Sequence, residues 1–119
     1  MNEPLNPVEV EAQIRELSDR ISRSVKVCSD RYKEFLTADH AYDRGHAIAM
    51  VDYEGPHWKA KANAEISTQD LREAKDTADV SYRYADRAAK ALIEQLRAMQ
   101  SIGASVRQMY GVAGRGEGA

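Results

Sequence analysis

The side chains best suited to binding a metal ion lie near the middle of the chain. Asp39, Asp43 and His46 are spaced at i, i+4 and i+7, which places two carboxylates and one imidazole on one face of a helix. Metal sites in helical bundles, however, draw ligands from several helices and usually include a Glu-x-x-His pair. No histidine follows His57 to supply a ligand from a later helix. We therefore predict no metal site, and interpret these residues as a polar helix face.

The sequence contains no motif of an enzyme or a cofactor site. A Walker loop, a dinucleotide fingerprint, a nucleophile elbow and a Cys-x-x-Cys pair are all missing. The single cysteine, Cys28, lies between Val25 and Tyr32 in an apolar helical stripe, which predicts a buried small side chain rather than a reactive thiol. We predict a non-enzymatic protein without a cofactor.

A basic helix face in the second half of the chain is the candidate for contact with nucleic acid. Arg83, Lys90 and Arg97 share one side of a helix, with Arg87 close by, and such a stripe can follow a phosphate backbone. The chain has a net charge of −2, which gives no strong attraction to nucleic acid. Acidic residues also precede three of the four at helical spacing: Asp79 before Arg83, Asp86 before Lys90, and Glu94 before Arg97.

The segment that must position these side chains runs from Leu71 to Tyr110, without proline and, before Gly103, without glycine. Its apolar residues form two neighbouring helical stripes. The first comprises Leu71, Ala74, Ala78, Ala85, Ala89, Leu92, Leu96, Met99, Gly103 and Tyr110, with Tyr82 at its edge. The second comprises Val80, Tyr84, Ala91, Ala98, Ile102 and Met109. Two stripes predict packing partners on two sides of this helix.

The chain before this segment predicts one other long helix. Asn6-Pro7 is a good helix start, and a single narrow apolar stripe continues to about Met50. Gly45 marks either a kink or an early end of this helix. Gly55-Pro56 predicts a loop over 51–57, followed by a helix over 58–110. Ser67 to Asp70 resembles a capping box, so a restart at 69 is the alternative to the unbroken helix that we favour.

These elements predict an all-α fold with a single domain over 1–110. Two long helices (7–50 and 58–110) joined by a short loop form an antiparallel, coiled-coil-like hairpin. Gly111 resembles a C-cap, and 111–119 is predicted to be a flexible glycine-rich tail. The hairpin alone leaves the second stripe in water, so we predict a homodimer that forms a four-helix bundle through that stripe.

Two ends of the hairpin are candidate surfaces for a protein partner. One is the tip, where Tyr53, His57 and Trp58 surround the predicted turn. Trp58 either anchors a partner or staples the loop onto its own helix. The other is the far end of the second helix, where Val106 and Tyr110 extend beyond the shorter first helix.

The run from Tyr84 to Leu92, followed by Leu96 to Arg107, resembles small helical proteins encoded by temperate phages, often of actinobacteria. Tyr32-Lys33 and the turn at Gly55 are placed as in those proteins. The resemblance implies a phage context, in which such a protein either assists DNA recombination or binds a host or phage factor. It identifies no catalytic residue.

From these observations we expect a protein–protein interaction module that acts as an adaptor, assembly factor or modulator. The alternative is a nucleic-acid-binding accessory protein in recombination or replication. The N-terminus has no signal-peptide pattern, and no apolar run approaches the roughly 20 residues of a membrane span. We therefore expect no membrane partner and a cytoplasmic location, in the host cytoplasm if the protein is phage-encoded.

Overall fold

All the regular structure in the described part of the chain is helical. The computed structural model describes residues 6–118, and the side chains of residues 6–111. Helix α1 spans Pro7–Asp52, a short 3-10 helix spans His57–Lys59, α2 spans Ala60–Ser67 and α3 spans Gln69–Gly118. The prediction of an all-α fold is therefore confirmed for these residues.

Helix α1 begins at Pro7 because Asn6 caps it. The backbone N–H of Glu9 donates to Asn6 Oδ1 at 2.9 Å, and the N–H of Asn6 donates to Glu9 Oε2 at 3.3 Å. This reciprocal pair is a capping box, which satisfies donors that the first helical turn leaves free. The helix then continues through Gly45 to Asp52, so Gly45 does not end it.

The second helical segment is interrupted at Thr68, whereas the sequence favoured an unbroken helix. Thr68 has φ −110° and ψ 18°, outside the helical region. Its hydroxyl donates to the carbonyl of Ala64, and the hydroxyl of Ser67 donates to the same oxygen at 3.3 Å. Hydroxyls that donate back along a helix compete with the regular backbone pattern and distort it. The restart at Gln69 thus involves backward donation instead of the predicted capping box.

The end of α3 also differs from the prediction. The helical backbone continues to Gly118, although the sequence placed the helix end at Tyr110 and a C-cap at Gly111. A glycine C-cap of that kind requires a positive φ, and no described glycine has one. Ala119, the last residue of the predicted tail, lies outside the described residues.

The chain divides into two units. The terminal unit comprises residues 1–25 and 87–119, and the loop unit comprises residues 26–86. In the terminal unit, Val10 is 1% exposed and packs against Gly103 of α3. A Cβ added to Gly103 would lie 3.0 Å from Val10 Cγ1 and 3.7 Å from Ile14 Cδ1. The glycine therefore permits the close approach of α1 and α3 within this unit.

In the loop unit, side chains of α1 contact side chains of α3. The tilted rings of Tyr32 and Tyr82 pack with centroids 5.1 Å apart, and the Lys75 ammonium lies 3.3 Å from Asp39 Oδ1. A Cβ on Gly45 would collide with the side chain of Leu71. The close approach of Leu71 therefore accounts for a glycine at residue 45. The buried side chains here are small: Ala60, Ala64, Thr68 and Ala85.

Candidate interaction surfaces

The loop unit presents large apolar side chains to solvent around its turn. Trp58 is 78% exposed, and its one aromatic contact is with its neighbour Lys59, whose ammonium lies 5.0 Å from the ring centroid. Val51 and Ile66, which flank the turn in sequence, are 82% and 75% exposed. Trp58 thus does not staple the loop onto its own helix, and its indole remains open to a partner.

The other two predicted residues of the tip differ from each other. The ring of Tyr53 folds back against Gly55, where an added Cβ would collide with it. Tyr53 is accordingly half-buried and shapes the turn, whereas His57 is exposed beside Trp58. A side chain at residue 55 would therefore require the ring of Tyr53 to move.

The terminal unit contains an open groove between α1 and α3. Its volume is about 380 Å³, and its floor is formed by Leu17, which is buried, and Met99, which is half-buried. The remaining lining residues are Gln13, Glu16, Arg20, Gln95, Ala98 and Ile102. The sequence pattern indicated Leu17, Ala98 and Ile102, but not Gln13, Glu16 and Arg20, because these three resemble an ordinary solvated face.

The predicted dimer stripe is exposed in both units. In the loop unit, Val80 is 67% exposed and Tyr84 is 76% exposed. In the terminal unit, Ile102 is 41% and Met109 is 66% exposed, and Ala91 and Ala98 are exposed as well. By contrast, Ala85 and Gly103 of the first stripe are buried. The buried residues of α3 therefore belong to the first stripe, although Leu71 and Tyr110 at its ends are exposed, and the second stripe faces solvent.

The predicted overhang at the far end of α3 is partly covered. Val106 is half-buried, and Tyr110 is 52% exposed. Neither side chain contributes to the groove of the terminal unit.

Intrahelical ion pairs occupy part of the predicted basic face. Arg83 Nε donates to Asp79 Oδ1 at 3.0 Å in the loop unit, and Arg97 Nη1 donates to Glu94 Oε1 at 2.8 Å in the terminal unit. The third predicted pair is Asp86 and Lys90, and each of these side chains has an interaction. Arg87 is exposed. Each pair offsets the positive charge that a phosphate backbone would recognise.

The residues with metal-ligand spacing have other contacts. Asp39 pairs with Lys75, and the ring of His46 packs against Tyr42 in a tilted arrangement with centroids 5.9 Å apart. Within residues 6–118, no three His, Cys, Asp or Glu side chains form a metal-binding group. Cys28 is a free thiol and is half-buried, so it is less enclosed than its place in the apolar stripe predicted.

A surface ion pair on α1 lowers the pKa of the Asp30 carboxyl group. The ammonium of Lys26 donates to Asp30 Oδ2 at 3.0 Å, one turn away on the surface of α1. This hydrogen bond, followed by the charge of Lys26, lowers the pKa of Asp30 below its ordinary value. The pair is exposed, so the shift indicates a local surface contact and no catalytic environment.

Comparisons with family models, characterised proteins and solved structures gave no match. None of the described helices is long and apolar enough to cross a membrane.

Proposed function

We propose that this protein is a non-enzymatic protein–protein interaction module, and that the turn around Trp58 is its partner-binding surface. This proposal rests on the exposure of Trp58. A tryptophan side chain buries about 150–250 Å² when it is covered. At about 25 cal/mol per Å², covering its exposed 78% would contribute about 3–5 kcal/mol to binding before the costs of association.

The flanking residues support a partner with an apolar pocket. Val51 and Ile66 add apolar surface on either side of Trp58 in sequence, and Lys59 holds a positive charge over the indole. Aromatic anchors of this kind dominate many interfaces when they enter a desolvated pocket. The resemblance to temperate-phage proteins supports a host or phage factor as the partner, with this protein as an adaptor, assembly factor or modulator.

The first test captures a partner from a host lysate, with and without nuclease, and then measures its affinity by calorimetry after purification. We expect Trp58→Ala to weaken binding by about 30-fold or more, as a hot-spot residue would. Trp58→Phe retains an aromatic side chain and serves as the matched control, with a smaller loss. A purified partner that binds Trp58→Ala as tightly as the wild type would remove the turn from the interface.

We further propose that α1, α2 and α3 form one antiparallel hairpin, and that two hairpins associate as a four-helix dimer. The support is the exposed second stripe, together with the few buried apolar side chains in the described residues, three of which are alanines. A small core of this kind supplies little stability by itself. Light scattering is expected to give twice the chain mass of 13.3 kDa at micromolar concentration. A monomer would contradict the dimer.

Nucleic-acid binding by Arg83, Arg87, Lys90 and Arg97 remains the alternative function. The ion pairs of Arg83 and Arg97 weigh against it, since acidic neighbours already offset those charges. The nuclease arm of the capture experiment separates the two functions. A partner lost on nuclease treatment would favour nucleic acid, and its binding would then weaken steeply with salt.

A further inference from the structure

The groove of the terminal unit is large enough to accept side chains from a partner. Its volume is about 380 Å³. A dry apolar cavity of about 150 Å³ already accepts a benzene ring, so this groove has room for two or three aliphatic side chains. Leu17 and Met99 are buried and half-buried residues of its lining, and Ala98 is the smallest side chain that lines it. A docked helix could therefore approach closely along α3.

Ile102 gives the groove a knob of its own. The residue lines the groove, yet 41% of its side chain remains in solvent. A surface that carries both a hollow and an adjoining apolar knob can pack against a copy of itself, because under two-fold symmetry each knob enters the partner's hollow. An unrelated partner would have to supply its own matching knob.

The charges on the rim are also complementary to a second copy. Glu16 and Arg20 border the groove on α1, one helical turn apart and opposite in sign. Both are exposed, and no ion pair joins either of them to another described residue. A two-fold axis would place Glu16 of each copy near Arg20 of the other. A uniformly acidic or basic partner would satisfy only one of the two charges.

We propose that this groove binds a second copy of the chain. Ile102 of each copy inserts into the groove of the other, and Glu16 pairs with the other copy's Arg20. This inference rests on the proposed dimer and assigns its contact surface. Two such copies would bury Ile102, Ala98 and Met99, and would leave the turn around Trp58 free for a different protein.

The test uses the full chain and sedimentation equilibrium. Ile102→Glu is expected to give a monomer, because a carboxylate would be forced into the partner's apolar groove. Ile66→Glu, a matched change at an exposed isoleucine of the loop unit, is expected to remain a dimer. Circular dichroism of both variants checks that each retains its helix content.

A charge exchange tests the pairing itself. Glu16→Arg alone and Arg20→Glu alone each create two like-charge contacts, and each should weaken self-association by about 10-fold. When the two variants are mixed, every rim contact becomes attractive, so we expect them to form a heterodimer in preference to either homodimer. No such preference would overturn the rim pairing.

The outcomes separate this inference from the proposals on which it rests. A wild-type monomer overturns both the proposed dimer and the proposed contact in the groove, and the groove would then bind something other than a second copy. A dimer that persists in Ile102→Glu overturns only the proposal that the groove is the contact surface of the dimer. Partner binding through Trp58 is measured separately and is unaffected by either result.

Discussion

Gly103 shows how one residue determines the approach of two helices. In isolation, replacing a helical glycine with alanine stabilises the helix by about 1 kcal/mol. At Gly103 the new Cβ would lie 3.0 Å from Val10 Cγ1. Val10 is 1% exposed and β-branched, so its side chain has little freedom to move away. Packing should therefore outweigh the gain in helix propensity.

We predict that Gly103→Ala lowers the free energy of unfolding by about 1–2 kcal/mol, measured by urea denaturation. Gly111→Ala is the control, because nothing lies within 4 Å of its added Cβ, and it should be neutral or slightly stabilising. Gly45→Ala should cost less than Gly103→Ala, since the group it meets is the flexible and 37% exposed end of Leu71. Equal effects at Gly103 and Gly111 would disprove the packing argument.

The Asp30–Lys26 pair makes a second prediction at this scale. Because the folded pKa of Asp30 is depressed, its contribution to stability is present above its unfolded pKa and is lost as the pH falls through the folded value. In an NMR titration, Asp30 should ionise at lower pH than an ordinary aspartate. Lys26→Gln should return that midpoint to the usual range. An unchanged midpoint in Lys26→Gln would show that Lys26 does not cause the shift.

At the scale of the element, Asn6 and Glu9 fix the start of α1. Asn6→Ala removes the oxygen that accepts from the Glu9 N–H, and the loss of such a cap typically costs about 1 kcal/mol. Val10, which packs against Gly103, follows immediately, so fraying of this turn would also loosen the terminal unit. Hydrogen exchange of the Val10 amide should accelerate in Asn6→Ala. Asn6→Asp preserves the acceptor, and it should exchange like the wild type.

The helices and the turn at Gly55-Pro56 could be predicted from the sequence, whereas the break at Thr68 was only the alternative to an unbroken helix. Helical periodicity and the Asn6-Pro7 signal indicated α1, and the two stripes indicated α3. The break at Thr68 depends on which way a hydroxyl turns: Ser and Thr can cap the helix that follows or donate to the one that precedes. Here both donate to Ala64. Sequence spacing is the same in either case.

The candidate sites were predictable to a similar extent. The second stripe follows from spacing, and the place of Trp58 follows from the Gly55-Pro56 turn, but the sequence left open whether Trp58 anchors a partner or staples the loop. The polar residues on the α1 side of the groove could not be predicted, because Glu16 and Arg20 become groove walls only once α1 lies against α3. The roles of Gly45 and Gly103 likewise depend on a neighbouring helix, and a single helix pattern contains no information about its neighbour.

At the scale of the whole molecule, the proposed dimer should make thermal stability depend on concentration. Association stabilises the folded state by mass action, so a tenfold rise in concentration adds about 1.4 kcal/mol to the stability of a dimer. For an assembly of roughly 240 residues, this corresponds to a rise of about 3–6 °C in the melting temperature. A monomer has no such dependence.

Melting curves of the wild type and Ile102→Glu over a hundredfold range of concentration would therefore distinguish two origins of stability. If the terminal unit depends on its partner to cover the groove, the wild-type melting temperature rises with concentration and that of Ile102→Glu is lower and constant. If Val10, Leu17 and Gly103 already form a sufficient core, both proteins melt independently of concentration. The exposure of Ile102 and Met109 leads us to expect the first result, because an isolated chain would leave that stripe of α3 in water.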